Sequence, residues 1–328
     1  MQKKNTLRFL ISALLLSGLS GVMAQSDANK YPNKPIKIMV GFPPGQGTDT
    51  IARAMATRMQ DVMKENFIVE NKPGAGGMIG QQAAAMAQPD GYTILLSSAG
   101  PMAVNPAVYE KLPYDPIKDY ESVAGVINVP LVLVINPDVP VKNLKDLVEL
   151  AKSKPGEVNF ASSGNGVTNH LAMEMLAYQA GVKMAHIPYK GSPAALTDLM
   201  SGRVSVMFDT PVAVLPFIKD GRLKAIAVGG STRISALPNV PTVIESGYPG
   251  FTAVSWMAFF APAKTPNPII NVLSEAITKI VKMPETKAYF QSQGVEPMPM
   301  NPKELSQFLK LEIDKWAKVA KISGAKVD

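Results

Sequence analysis

"VGFPPGQGTDTIARAMATRM", residues 40–59, runs from the end of an apolar strand through a glycine-containing turn into a helix. The helix is predicted from spacing: Ile51, Ala52, Met55, Met59 and Val62 recur three and four residues apart over Thr48 to Met63. The strand before it, Pro35 to Phe42, is short, apolar and β-branched. Gly45, Gln46 and Gly47 fill the turn, and Thr48 or Asp49 is placed to cap the helix. Glycines let a backbone approach a ligand closely. The helix start offers unpaired N–H groups and a partial positive charge of roughly half a unit. A carboxylate or a phosphate suits this turn; a tight turn with no ligand is the alternative. It is no P-loop, because no Gly-Lys-Ser/Thr follows.

The same rhythm continues on both sides. Phe67 to Asn71 and Tyr92 to Ser98 read as further strands, with a small-residue helix over Gly77 to Gln88 between them. Such βαβαβ alternation predicts a mostly parallel sheet covered by helices. A second run begins near Val129 to Pro137. It continues through a helix (Asn143 to Ser153), a strand (Val158 to Gly164), a helix closed by glycine (Asn169 to Gly181) and strands over Val204 to Thr210 and Leu223 to Gly230. Two long apolar segments, Val123 to Ile135 and Phe251 to Pro262, bracket this second run and are candidate crossings between lobes. The last 65 or so residues read as amphipathic helices that close the first lobe. The fold class is therefore α/β in two lobes.

Length and composition agree. A chain of 328 residues with 46% apolar and 18% charged content can bury a sizeable core. Lys3, Lys4 and Arg8, the apolar run Phe9 to Leu19 and the small residues at Val22 to Ala24 have the layout of a secretory signal peptide cleaved after Ala24. The run is shorter than the roughly 20 residues that span a bilayer. Cleavage takes the formal charge from +7 to +4, mildly basic, with no basic cluster interleaved with aromatics for nucleic acid. The absence of cysteine removes lipid anchoring, disulfides and thiol catalysis.

Open α/β sheets bind ligands beyond the carboxyl ends of their strands. Three further turns lie there. "SSAGP" (Ser97, Ser98, Ala99, Gly100, Pro101) offers two hydroxyls, or is a plain hydroxyl-stabilised turn. "SSGNGVTNH" brings Ser162, Ser163, Asn165, Gly166, Thr168, Asn169 and His170 to a strand-to-helix turn of the second lobe, matching the first; a capped helix with a solvated loop is its bland counterpart. "PYKGS" and "FDT" contribute Tyr189, Lys190, Gly191 and Asp209. Lys190 either meets a distal ligand charge or points into water; Asp209 either accepts a hydrogen bond from a ligand or caps the next segment.

Sharper chemistry fails. "GAGGMIG" (Gly74 to Gly80) has its third glycine misplaced for a dinucleotide fingerprint, and Asp90 lies too near for the ribose acid. Two histidines and no cysteine support no metal site. A Ser163/His170/Asp209 triad lacks a nucleophile elbow.

The motifs "YPNKPIKIMVGFPPGQGTD", "VENKPGAGGMIG", "PDGYTILLSS", "KLPYDPIKDYESV", "NFASSGNGVTNHLAMEML", "HIPYKGSPAALTDLMSGRVSVMFD" and "ALPNVPTVIESGYPGF" occur in this order. Together they resemble the substrate-binding proteins of tripartite tricarboxylate transporters, the Bug or TctC-like family, over essentially the whole mature chain. The resemblance implies a type II periplasmic binding protein with an interlobe ligand cleft and a hinge of two crossing segments. It implies a small organic acid as ligand, partly held through waters, no cofactor, and delivery to membrane permease subunits by a monomer. The matching loops are Phe42 to Asp49, Ser97 to Gly100, Ser162 to His170, and Tyr189 to Ser192 with Asp209. Many members read Pro-Phe-Pro-Ala-Gly-Gly before Thr-Asp, whereas this chain reads Gly41-Phe42-Pro43-Pro44-Gly45-Gln46. The Gln46 amide can donate to the distal end of a ligand or narrow the cleft. The expected division is 1–24 signal peptide, 25–127 with 253–328 as domain 1, and 128–252 as domain 2. A binding protein serving a sensor, and a secreted hydrolase using the same anion site, are the alternatives.

Overall fold

The strand that opens the decisive stretch is β1 (Ile36–Val40), and it leads into α1 (Gly47–Met63). The computed structural model describes residues 31–323; the expected signal peptide lies outside them. After α1 come β2 (Phe67–Asn71), α2 (Met78–Ala85), β3 (Thr93–Ser98), the short α3 (Asn105–Val108) and β4 (Tyr120–Pro130). Leu131 alone separates β4 from β5 (Val132–Ile135), where the chain passes from one sheet to another. Then follow α4 (Leu144–Ser153), β6 (Asn159–Ser162), α5 (Thr168–Ala180), β7 (Ala185–Pro188), α6 (Ser192–Met200), β8 (Val206–Asp209), α7 (Pro211–Lys219) and β9 (Lys224–Val228). The chain returns along β10 (Val254–Pro262) and finishes with α8 (Asn267–Lys282), α9 (Pro284–Ser292), β11 (Glu296–Pro297) and α10 (Pro302–Ser323).

The first sheet has the order β11-β4-β10-β3-β1-β2 and the second β7-β6-β8-β5-β9. β1 pairs in parallel with β2 and β3, while β10 runs antiparallel between β3 and β4. In the second sheet β6 pairs in parallel with β7 and β8, and β5 lies antiparallel to β8 and β9. The first sheet is buried on both faces, so its strands are near-continuously apolar. Ile36, Ile38 and Val40 pack with Ile51, Met55 and Met59 of α1 and with Leu273 and Ile277 of α8. Met39 faces the other way, onto Ala84 of α2 and a cluster that includes Trp256 and Trp316.

Both crossings fall within the apolar segments that bracket the second run. Their backbones are tied by three hydrogen bonds: Leu131 N–H to Ala253 O (2.9 Å), Gly229 N–H to Leu131 O (2.7 Å) and Ala253 N–H to Gly229 O (2.8 Å). The approach is so close that a Cβ on Gly229 would lie 2.6 Å from Ala253 O. The sequence reading missed this third segment of the hinge.

One helix attaches the lobes away from the hinge, and a buried cluster stiffens the first lobe beside it. Helix α5 is apolar around most of its circumference, the pattern of a helix with core on several sides. Ala172, Met173 and Leu176 join the core of the second lobe, whereas Leu171 is buried against Leu305, Leu309 and Trp316 of α10 and against Trp256. Both tryptophans of the chain donate indole N–H to one oxygen, Oε2 of buried Glu312 (2.9 Å from Trp256, 3.1 Å from Trp316), while Lys315 holds Oε1 at 3.0 Å. That cluster fastens α10 to β10 beside the hinge. Among the described residues no helix is long and apolar enough to cross a membrane.

Candidate functional site

The four turns singled out in sequence converge where the carboxyl ends of β1, β3, β6 and β8 face one another across the lobes. An inner cavity of about 40 Å³ lies between them. By the rule that one water needs roughly 10–15 Å³ of such space, it holds about three waters or one carboxylate group. Phe42, Gln46, Thr48 and Ser98 line it from the first lobe, and Ser163, Thr168, Asn169 and Asp209 from the second. No lysine, arginine or histidine is among its lining residues. Beyond Phe42 and Ser163, which border both spaces, an outer cavity of about 230 Å³ is lined by Gly74 to Gly77, Tyr109, Asn165, Tyr189, exposed Lys190 and Gly191.

Local sequence explains the donors. Helix α1 starts at Gly47, so Gln46 is its N-cap, in extended conformation and without a side-chain cap. The expectation that Thr48 or Asp49 occupies the cap is corrected, because both lie inside the first turn. Asp49 instead reaches back to accept from Gly45 N–H at 3.0 Å, and its carboxylate is held by Arg53 and Asn71. Burial pushes that carboxyl up, but these bonds outweigh it and hold it below the usual carboxylate range. Asp49 therefore shapes the turn and does not line either cavity. Helix α5 starts at Thr168 after an extended Val167. The first N–H groups of each helix have no partner within it, and Thr48 of α1 and Thr168 and Asn169 of α5 lie in those first turns.

Gly47 allows the lobes to meet. A Cβ there would lie 2.5 Å from Thr210 Oγ1 and 3.3 Å from Thr210 Cβ across the cleft. Gln46 Oε1 accepts from Ser192 N–H at 3.2 Å and so caps α6 of the opposite lobe. Tyr109 adds a second interlobe bond, its hydroxyl donating to Asn165 O at 3.0 Å.

The second-lobe turn is braced from behind. Ser163 N–H and Oγ–H both meet Asn169 Oδ1, at 3.3 and 3.2 Å. Ser162 Oγ donates to Gly164 O at 2.9 Å and meets His186 Nε2 at 2.6 Å, so its one proton assigns the Nε2–H tautomer to His186. The rings of Phe160, His186 and His170 stack, the two imidazoles with centroids 3.8 Å apart. Burial, reinforced by His170, pushes the His186 imidazole down to about 4, which keeps it neutral near pH 7. His170 Nδ1 accepts Gly166 N–H at 3.2 Å. With Ser163 committed to Asn169 and His170 to Gly166, the paper triad Ser163/His170/Asp209 is not assembled.

Of the residues singled out, the structure gathers Phe42, Gln46, Thr48, Ser98, Gly100, Ser163, Thr168, Asn169 and Asp209 on the inner cavity and Asn165, Tyr189, Lys190 and Gly191 on the outer. Gly45, Gly47, Asp49, Ser97, Ala99, Ser162, Gly166 and His170 support these walls without lining them. Sequence reading missed Tyr109, Ser255 and Met257. It also tested the glycine turn Gly74 to Gly77 only as a dinucleotide motif; its place after β2 was the available signal. Among the described residues no group of three potential ligands could hold a metal ion.

Residues 51–324 match the family model described as the tripartite tricarboxylate transporter family receptor, TctC. The chain belongs to this receptor family. The receptor is similar to protein BugT of Bordetella pertussis, with 38% identity over 324 residues, 98% of this chain and 99% of that one. The solved structure of the periplasmic binding protein BugD shares 35% identity at TM-score 0.86, covering 90% of this receptor and 99% of BugD. An R. palustris protein solved with adipate shares 32% identity at TM-score 0.89, covering 90% of the receptor and all of that chain. The receptor thus has the two-lobed fold of the periplasmic binding proteins.

Proposed function

We propose that this receptor captures a small carboxylate between its lobes in the periplasm, after cleavage of the signal peptide, and presents it in closed form to the permease of a tripartite transporter. The observation that carries this is the inner cavity, where two helix starts and the Ser98, Thr168 and Asn169 side chains converge on space for one carboxylate with no cation. Charge-assisted hydrogen bonds from such donors contribute roughly 1.5–3 kcal/mol each. Neutral donors also avoid the desolvation cost of a buried ion pair. The body of the ligand would extend into the outer cavity, where Lys190 is the one cation among the lining residues. The moving units are 25–127 with 253–328, and 128–252, turning about Leu131, Gly229 and Ala253. Adipate, with which the R. palustris relative was solved, is a linear acid with a carboxylate head and an extended body.

The test is a thermal-shift screen over mono-, di- and tricarboxylates, aromatic acids and acidic amino acids. A ligand at about 100 times its Kd stabilises the protein by about 2.7 kcal/mol. Silence across the panel contradicts the proposal.

A further inference from the structure

The inner cavity already contains a carboxylate. Asp209 ends β8, is 2% exposed and forms part of the wall. Its Oδ1 accepts Thr210 N–H at 2.7 Å; Oδ2 is buried without a well-formed hydrogen bond, and the only hydroxyls that act on the carboxyl, those of Ser192 and Thr210, are themselves buried without a well-formed partner. A second carboxylate in a cavity of about 40 Å³ must come within a few ångströms of it, and no lining residue can place a positive charge between them.

Apart from Asp209 itself, no ionisable side chain on the surrounding elements lines the inner cavity. On α1, Asp49 and Arg53 bond each other. On α5, His170 accepts from Gly166 N–H and lies 3.6 Å from Glu174. His186 of β7 is bonded to Ser162. Between β7 and α6, Tyr189 and Lys190 line the outer cavity, and Tyr189 donates to Asp198 of α6, which also pairs with Arg203. Thr210 is the N-cap of α7, whose one basic residue, Lys219, lies in the last turn. On β5 the register partner is Val132.

We infer that the inner cavity takes up its carboxylate together with one proton, which Asp209 and the ligand share in an O–H···O hydrogen bond. This rests on the capture function proposed above and names how that site handles charge. The proton comes from solvent; no covalent bond is made or broken apart from the O–H. Burial pushes the Asp209 carboxyl up to about 6, and the Ser192 and Thr210 hydroxyls with the Thr210 amide draw it back. Protonating such a group at pH 7.5 costs roughly thirtyfold in affinity. Leaving two charges about 4 Å apart at an effective dielectric near 20 costs roughly a thousandfold. Proton uptake is therefore the favoured outcome, as for any carboxylate pair sharing a site. Asp209 then selects for acids at the inner end of the cleft, and binding weakens as pH rises above 6.

The test is titration calorimetry of the whole mature protein at pH 7.5 in HEPES and in Tris, whose ionisation enthalpies differ. Adipate, glutarate and benzoate serve as probes because none carries a hydroxyl or ammonium donor that could satisfy Oδ2. The expected result is close to one proton taken up per ligand bound, with Kd rising about tenfold between pH 7 and 8. Asp209→Asn is expected to bind with no proton uptake and a Kd that does not change between pH 6.5 and 8. Saturable binding to the wild-type protein with zero uptake overturns the inference and leaves carboxylate capture standing. Failure of the wild-type protein to bind any acid of the wider panel overturns both. If Asp209→Asn does not fold, the wild-type proton count decides alone.

Discussion

Gly47→Ala separates ligand binding from folding. In the closed structure the added methyl carbon would lie 2.5 Å from Thr210 Oγ1 and 3.3 Å from Thr210 Cβ, against an ordinary contact of 3.4 Å or more. The Thr210 side chain is β-branched and stiff, so it is expected to keep its rotamer and leave Oγ1 in the way of the new methyl. The lobes must separate by about 1 Å at this point. Two kinds of bond suffer. The Gln46–Ser192 bond, 3.2 Å long in the closed form, loses about 1 kcal/mol. At least one charge-assisted bond from the second lobe to the ligand loses about 1.5–3 kcal/mol. Their sum of about 2.5–4 kcal/mol weakens Kd by roughly 60- to 700-fold. Opening of the lobes would remove this contact, and alanine is well tolerated in a first helical turn, so ligand-free stability should stay within about 0.5 kcal/mol of wild type. Titration calorimetry with the best acid from the screen gives Kd, and urea unfolding of the ligand-free protein gives stability. A Kd within threefold of wild type, or equal losses in affinity and stability, refutes the reasoning.

Gln46→Ala removes the cap that Gln46 places on α6 across the cleft; about 1 kcal/mol of closure energy is lost, Kd rises about fivefold, and small-angle scattering of the ligand-free protein should report a larger radius of gyration. Glu312→Ala leaves two indole N–H groups in the core without an acceptor and should cost about 3–5 kcal/mol in urea unfolding, with Glu312→Gln recovering part; a loss under 1 kcal/mol contradicts this role. Burial pushes the folded Asp209 carboxyl from the usual 3.8 up to about 6, so its ionisation destabilises the ligand-free fold as pH rises through that window. Asp209→Asn should therefore stabilise the ligand-free protein by up to about 3 kcal/mol at pH 7.5, an advantage that vanishes near pH 4. His186 works in the opposite sense: lowered to about 4 from 6.5, it loses stability as pH falls through that range, so His186→Phe should flatten the acid limb of the unfolding profile.

Most of the scaffold was legible because periodicity and burial coincide. The end of α1 at Met63 follows from apolar spacing, the strand read over Phe67 to Asn71 matches β2, and Gly181 closes α5 in the left-handed conformation a helix end favours. The turns Phe42 to Thr48 and Ser162 to Thr168 were readable as helix starts after strands, which is why they reached the cavity. What escaped depends on contacts between lobes, which no local pattern encodes. Leu171 looks like any other helical leucine, yet it is buried in the first-lobe cluster. Gln46 stood out as a departure from glycine, but its acceptor role needed Ser192, 146 residues away. Asp49 was misread because an acidic residue in a first turn caps by reaching back as readily as by sitting at the cap itself. The hinge glycine, Gly229, follows a strand as many glycines do; only its approach to Ala253 gives it a role.

The most direct measurement is a crystal structure of the receptor grown with the carboxylate that gives the largest thermal shift. The expected density shows one carboxylate group in the inner cavity, within hydrogen-bonding distance of first-turn groups of α1 and α5, with Asp209 beside it and the lobes closed. A carboxylate bound anywhere else, or first-turn amides of both helices turned away from it, contradicts the account.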